Sequence, residues 1–292
     1  MSGEFRGRFD HAVIVVADLA SASETFTRLG FSVSPGGAHT GLGTHNALVR
    51  FGVDYLELLA VRDEAEATKP GSATGSIVDR IRSGKFGLAS FALATADIEA
   101  DAARFRDRGL RAVGPFAMER MRPDGRRLSW RLLIPHGESF GRPWPFLIQW
   151  DQDDATRLSW ERPGAHANGA SRVAAVAVAV NDLDAAADLY TELLGLQPGN
   201  DSGNARTRRA FTTGGFTVWL HAADDDPLIA ERLRSVGEGI FEVRLAADLG
   251  KTVSALDRAG LDYMRSSRPI VVPQPAAAGA RLAFVHDAFV LR

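Results

Sequence analysis

The chain has 292 residues, 45% hydrophobic and 24% charged, with 34 Lys/Arg set against 36 Asp/Glu and a formal charge of −2. That length exceeds the roughly 100–200 residues of one ordinary domain, so two compact units are expected, and the dispersal of basic among acidic residues removes the electrostatic footprint of a nucleic-acid binder. No apolar run approaches the roughly 20 residues that span a bilayer, there are no cysteines and Met1–Arg8 lacks a signal core, so a cytoplasmic protein without membrane or disulfide chemistry is expected.

The first predicted strand starts at His11, where His11, Val13 and Val15 alternate with Ala12, Ile14 and Val16. Asp18 then caps a helix with an apolar stripe at Leu19, Ala22, Phe26 and Leu29, which Gly30 stops. Strand candidates follow at Phe31–Val33, Asn46–Phe51 and Tyr55–Leu59, with a Gly-rich loop from Gly36 to Gly43, giving the order βαβββ. The same order repeats from Phe86: a strand to Leu93, a helix from Asp97 to Gly109, and strands near Val113, Leu128–Leu133 and Phe146–Trp150, with Asp124-Gly125 as a turn. A polar stretch with Pro163, Gly164 and Gly169 reads as a linker. Third and fourth units follow from Val173 and Ile240. The segment Phe9–Leu19 itself returns as Ser171–Leu183, so the chain is an internal duplication, and aligning Asp18 with Asp182 sets His11 opposite Ala175. The expected division is residues 1–155 as a domain carrying the site, 156–170 as linker and 171–292 as a second, degenerate domain.

Two residues stand out chemically. Glu57 interrupts the apolar run Tyr55-Leu56-Glu57-Leu58-Leu59, where a buried carboxylate costs several kcal/mol unless paired or coordinated; the alternative is an outward-facing residue of an alternating strand. His11 is either functional or a strand histidine hydrogen-bonded to a neighbour. His39, His45 and His136 lie in loops or strand entries, where a solvated or backbone-bonded histidine is the plain alternative. Trp130, Trp144 and Trp150 cluster in the last strands of the second unit, as a ligand-facing wall or as core, and Arg131 should alternate to the face opposite Trp130. Asp224-Asp225-Asp226 before Pro227 reads as a helix-capping loop.

The residues Asp10-His11, Asp18-Leu19, Leu29-Gly30-Phe31, His39, Gly43-Thr44-His45-Asn46, Tyr55-Leu56-Glu57-Leu58, Pro123-Asp124-Gly125, Trp130-Arg131 and Pro145–Trp150 resemble a glyoxalase-like family of the vicinal oxygen chelate superfamily, the glyoxalase, bleomycin-resistance and extradiol-dioxygenase group. The resemblance implies an α+β fold of four βαβββ modules, forming two tandem domains with curved, cup-shaped mixed sheets. It also implies a divalent metal ion (Fe, Mn, Ni, Zn or Mg) held by the first and last strands of each module. By position the ligands are His11, Glu57 and, in the second module, Gln149, with Leu88 where a histidine would sit. His11 and Glu57 are then the catalytic candidates, and His39, His45, Asn46, Trp130 and His136 the ligand-binding ones. In the second domain Ala175, Trp219 and Ile240 take the matching places and hold no metal, while His221, Glu242 and His286 read as surface or sheet-edge residues. Two functions follow from the resemblance: a metal-assisted lyase, isomerase or dioxygenase acting on a small molecule, or a metal-free small-molecule binder of the antibiotic-resistance kind. The chain would be a monomer or a homodimer, paired through an exposed sheet edge.

Overall fold

The computed structural model describes residues 5, 7–70, 72, 74–138, 140–199, 206–223, 226–264 and 269–286. Strand β1 (Arg8–Val15) is buried along nearly its whole length, because both of its faces are covered. Helix α1 (Leu19–Arg28) packs on one of them through Ala22 and Phe26; Asp18 caps it by accepting from Ser21 N at 2.7 Å, and Gly30 ends it at φ +86°. Then come β2 (Ser34–His39), β3 (Thr44–Arg50), β4 (Tyr55–Val61), the short helices α2 (Glu64–Ala67) and α3 (Gly75–Arg82), β5 (Gly87–Ala94), α4 (Ile98–Asp107), β6 (Ala112–Met121), β7 (Arg127–Pro135) and β8 (Phe146–Trp150).

These eight strands close into a barrel in the order β1-β4-β3-β2-β6-β7-β8-β5. Parallel pairs β1–β4 and β5–β8 lie within the two modules, and the antiparallel β1–β5 pair joins them. The far seam is short: Ala38 opposes Met121 and His39 opposes Arg120. Here the structure departs from the sequence expectation. Phe31–Val33 is not a strand, whereas the Gly-rich segment forms β2. Gly37 makes this possible, since its φ is +139° and a Cβ there would overlap the Met121 carbonyl across the seam.

The chain continues through α5 (Asp154–Trp160), β9 (Ala170–Ala179), α6 (Leu183–Asp188) with a π-helical extension to Leu193, β10 (Gln197–Pro198), β11 (Arg208–Thr213), β12 (Phe216–His221), α7 (Pro227–Ser235), β13 (Gly239–Ala247), α8 (Leu249–Arg258), β14 (Ile270–Val272) and β15 (Leu282–Val285). Among the described residues this second sheet stays open, in the order β10-β11-β12-β9-β13-β15-β14, and its edge strands have only two and three residues. Its inner face is an alanine floor, Ala175, Ala177, Ala179 and Ala210, filled by Trp219, Phe241 and Ile229 of α7. Asp226 caps α7; Asp224 and Asp225 lie outside the described residues.

One hydrophobic core runs through both sheets, with Phe9 stacked on Phe216 at 4.4 Å. The stretch 156–170, polar enough to read as a linker, is bonded on both sides: Asn168 Nδ2 donates to Leu29 O at 2.9 Å and Thr252 Oγ1 donates to Asn168 O at 2.8 Å. Arg157, Glu161 and Asn168 are buried: Glu161 and Asn168 are hydrogen-bonded across the fold, and Arg157 NH1 faces Asp10 at 3.6 Å. No helix among the described residues is long and apolar enough to cross a membrane.

Candidate functional site

Alternation along the barrel strands sends His11 and Val13 of β1, Thr44 and Asn46 of β3, and Tyr55, Glu57 and Leu59 of β4 into a cavity of about 120 Å³. The remaining wall is apolar and aromatic, formed by Met118, Trp130, Leu132, Phe146, Ile148 and Trp150, with Leu42, Ile77 and Phe140 also lining the cavity. Polar groups therefore gather at one side of an otherwise apolar cup.

Glu57 is the centre of that polar side and is only 7% exposed. Its Oε1 accepts from Asn46 Nδ2 at 2.5 Å and lies 3.8 Å from His39 Nε2, while its Oε2 lies 3.7 Å from His11 Nε2. Each imidazole is tied at its other nitrogen: His11 Nδ1 is 2.7 Å from Asp10 Oδ1, and His39 Nδ1 is 2.9 Å from Thr44 Oγ1. His11 also stacks on Tyr55 with centroids 4.7 Å apart, and the Arg50 guanidinium covers Tyr55's ring at 4.6 Å.

Behind this layer lies a charge network that the sequence reading missed. The β1–β5 register shifts between Phe9 and His11, and this bulge leaves Asp10 without a cross-strand partner on β5. Its carboxylate is then free to hold His11, accept from Trp150 Nε1 at 2.9 Å and face Arg157 at 3.6 Å. Nearby, Glu161 pairs with Arg50 and accepts from Arg120 and Arg122 at 2.7 Å each. Arg120 also donates to Asn46 Oδ1 at 3.3 Å, which links the network to the cup. The available sequence signal was the placement of Asp10 and Arg50 in apolar strands, where an ionised group needs a partner.

Electrostatics follow from this arrangement. Burial alone would raise the Asp10 carboxyl, but Arg157, the His11 bond and Arg8 hold it well below the usual carboxylate range. Burial also raises Glu161, and three surrounding guanidiniums more than reverse it. His39 is pushed down to about 4 by burial, with Arg120 adding to the effect and Glu57 opposing it, so it is neutral at pH 7. The Tyr55 phenol stays protonated, since burial, Asp10 and Glu57 all raise it.

Of the residues expected from sequence, the structure brings together His11, Glu57, His39, Asn46 and Trp130. It separates four others. Gln149 points out of the barrel, where its Oε1 accepts from Ile98 N at 3.1 Å and Arg131 NH2 at 2.8 Å and its Nε2 donates to Ala96 O at 2.7 Å; alternation on β8 turns Ile148 and Trp150 inward instead. His45 faces the outer side of β3 near α1, and His136 is exposed in a turn at φ +54°, its ring tilted 44° against Trp144 with centroids 4.7 Å apart. Trp144 thus leaves the cup, while Trp130 and Trp150 remain in it 5.0 Å apart. Arg131 is on the outer face, as alternation requires. Leu88 is not the vacant ligand position either: it opposes Ile14 and packs with it in the outer core, whereas Ser90 opposes Val13 on the barrel face.

The second sheet repeats the registry with other chemistry. Trp219 pairs with Ala177 as Glu57 pairs with Val13, and Trp219 lies beneath Arg208 and Arg244 at 5.1 and 5.8 Å. Glu242, expected at the surface, is buried and accepts from Arg244 Nε at 2.9 Å and Arg281 Nε at 2.8 Å. His286 is exposed, and His221 is half-buried against Phe241.

On β5 and β8 of the second module the inward residues include Ser90, Phe146, Ile148 and Trp150, which offer an ion no carboxylate or imidazole. Among the described residues no group of three or more His, Cys, Asp or Glu side chains is arranged to hold an ion. The donor set therefore does not fit the group that the fold family implies.

An eight-stranded barrel of two βαβββ modules around an internal His–Glu pair defines a protein of the vicinal oxygen chelate fold. The chain belongs to the glyoxalase-like domain family: the Glyoxalase-like domain model matches residues 9–194, and the Glyoxalase/Bleomycin resistance protein/Dioxygenase superfamily model matches residues 172–287. No curated protein sequence matches it. Among solved structures it is similar to a hypothetical protein from Staphylococcus aureus (TM-score 0.70, 17% identity, 95% of this chain and 98% of that one). A mutant 4-hydroxymandelate synthase from Streptomyces coelicolor is also similar (0.67, 15%, 96% and 92%). A xylose isomerase-like TIM barrel/4-hydroxyphenylpyruvate dioxygenase fusion protein matches over 90% of this chain and 40% of its own (0.55, 16%). At these identities the likeness is one of fold.

Proposed function

We propose that the barrel cup binds a small organic molecule with an apolar body, and that Glu57 moves a proton on it. The observation that carries this reading is a carboxylate buried at the polar side of an aromatic cup, held by one amide and flanked by two imidazole nitrogens beyond hydrogen-bond distance. Burying such a group costs several kcal/mol in a purely structural role, and a well-paired arrangement was open to the fold, as Glu242 with its two arginines illustrates. Glu57 would take a proton from an acidic C–H or O–H of the bound molecule and return it at a neighbouring atom, the proton bookkeeping of an isomerase or lyase. Asp10 fixes the His11 ring beside it, and the tryptophan wall keeps water from competing. The sequence composition supports a cytoplasmic setting for this chemistry.

The test is hydrogen exchange in D2O followed by NMR, with a panel of small ketones, aldehydes, phenols and 2-oxo acids first sorted by binding. Exchange of a substrate C–H that slows about 100-fold or more in Glu57→Gln supports the reading. If molecules bind in the cup and none exchanges faster than in buffer, the protein is a binding protein and the catalytic part of the proposal fails.

A further inference from the structure

On the reading of the barrel cup as a small-molecule site, we propose that its ligand is elongated: a head of about one ring sits in the cup, and an unbranched apolar tail leaves the barrel along an outer groove past Val113.

Volume keeps the head small. The cup holds about 120 Å³, whereas an apolar protein cavity of about 150 Å³ takes up one benzene and ordinary ligand sites run from about 300 to 1,000 Å³. A molecule larger than a single ring must therefore extend beyond the cup. A groove of about 940 Å³ adjoins it, and Leu42, Phe116, Met118, Ile134 and Phe140 line both spaces. The polar side chains of the cup, His11, His39, Asn46 and Glu57, line the cup alone. Whatever reaches from one space into the other crosses those five apolar side chains, none of which offers a side-chain hydrogen bond. A polar group lodged among them would lose its water without compensation, so the linking part of the ligand is hydrocarbon.

The strand register gives the tail its direction. Across β6 and β7, Met118 opposes Trp130, Phe116 opposes Leu132 and Val113 opposes Ile134. Trp130 and Leu132 belong to the cup, Ile134 to both spaces and Val113 to the groove, so these rungs lead outward along one wall, and Ile134 stands four residues from Trp130, about 13 Å along the strand. The wall stays apolar to its end. The polar groove residues, Lys69, Ser72, Ser76 and Glu138, come from the segment around α3 and from the turn after β7. The five shared side chains are only half-buried and Val113 is 43% exposed, so this end of the barrel turns a continuous row of large apolar groups toward solvent. Such patches mark binding surfaces, and continuity with the cup makes the tail of the cup's own ligand the occupant.

The experiment measures calorimetric binding of phenol, 4-ethylphenol, 4-butylphenol and 4-hexylphenol to the full chain. Affinity should rise along the series by about twofold to fourfold for each CH2 added. Val113→Asp should cut the gain from phenol to 4-hexylphenol about tenfold. Val113→Ser, which shortens the side chain without adding charge, should cut it less, and carries the test if the aspartate variant does not fold. In NMR of the complex, the terminal methyl of 4-hexylphenol should show nuclear Overhauser contacts to the Val113 methyls, assigned by their loss in Val113→Ala. Affinity that stays level beyond phenol, or a gain that survives both Val113 variants, overturns the elongated ligand and leaves the cup as a site for a single ring. A dimer in sedimentation that Val113→Asp dissociates, with no gain from the tail, gives the groove to a second copy of the chain and also overturns it. If neither phenol nor its homologues bind, the small-molecule reading of the cup falls, and the tail with it.

Discussion

Glu57 and Trp219 occupy the same rung of two related sheets, each on the last strand of a βαβββ module and each opposite the residue two places after the His11 or Ala175 position. One rung carries a carboxylate at a cavity and the other an indole closed over by arginines and α7. The duplication thus separates the requirements of the fold from those of the site. Glu57→Gln should keep the Asn46 contact and the packing while removing the proposed base, so thermal unfolding should shift by no more than about 1 kcal/mol in stability while proton exchange falls about 100-fold or more. A large loss of Tm with exchange retained would make Glu57 structural.

Asp10 holds the His11 ring at 2.7 Å, and its partners give it a stability signature. Its folded pKa lies below the unfolded value of about 3.9, so the stability it contributes is present above pH ~4 and lost as the pH falls through the folded value. Asp10→Asn strips Arg157 of its buried carboxylate and should cost about 3–5 kcal/mol near neutrality. The gap between variant and parent, measured by urea unfolding, should narrow as the pH is lowered below 4. A gap independent of pH would show that charge is not what Asp10 supplies.

His39 and His221 act at a higher pH. Burial lowers each to about 4, with Arg120 and Arg244 respectively adding to the effect, against an unfolded value of about 6.5. Between those limits the unfolded chain binds more protons, so stability should rise with pH from 4 to 6.5 and level off above. Each histidine contributes a slope of up to about 1.4 kcal/mol per pH unit. Unfolding free energies at pH 4.5, 5.5, 6.5 and 7.5 measure this, and a His39→Asn, His221→Asn double variant should flatten the curve. An unchanged slope in that variant would assign the acid sensitivity elsewhere.

Much of the fold was legible because it rests on period and punctuation: the β1 alternation, the Asp18 cap, the Gly30 stop and the βαβββ order of the first two modules all appear in the chain as they do in space. His11 and Glu57 were legible for a related reason, since a histidine and a carboxylate inside apolar strands have few cheap explanations. What was not legible depends on register. A bulge at Asp10, the outward turn of Gln149 and the opposition of Leu88 to Ile14 are set by which residue pairs with which across β1, β5 and β8, and a shift of one residue exchanges the faces. The arginine network was hidden because Arg50, Arg120, Arg157 and Glu161 are spread over more than 100 positions and meet only when the barrel closes and α5 folds back.

Gln149 offers a direct check on that register. It holds the start of α4 through Ile98 N and Ala96 O, so Gln149→Ala should cost about 1–2 kcal/mol in stability by leaving those groups unpaired. Ligand affinity in the cup should stay within about twofold, since Gln149 faces the opposite side of the sheet. Tenfold weaker binding with unchanged stability would place its side chain in the cup.

Gly36 tests whether the cup's chemistry depends on the Arg120–Asn46 bond. It sits on β2 outside the left-handed region, so alanine brings no backbone strain, yet a Cβ there would overlap both Asn46 Oδ1 and Arg120 NH1. The methyl must push these two groups apart. Arg120 still has Glu161, so the loss falls on Asn46, whose amide becomes free to flip and whose hold on Glu57 and His39 loosens. Gly36→Ala should therefore fold, with a penalty of about 1–3 kcal/mol for the crowded buried pair. Its His39 nitrogen-15 signals should report a mixture of tautomers in place of the single one set by the Asn46 and Thr44 contacts. If a single tautomer survives the substitution, Asn46 is oriented by something other than Arg120, and the sequence of constraints from Arg120 to His39 is broken at its first link.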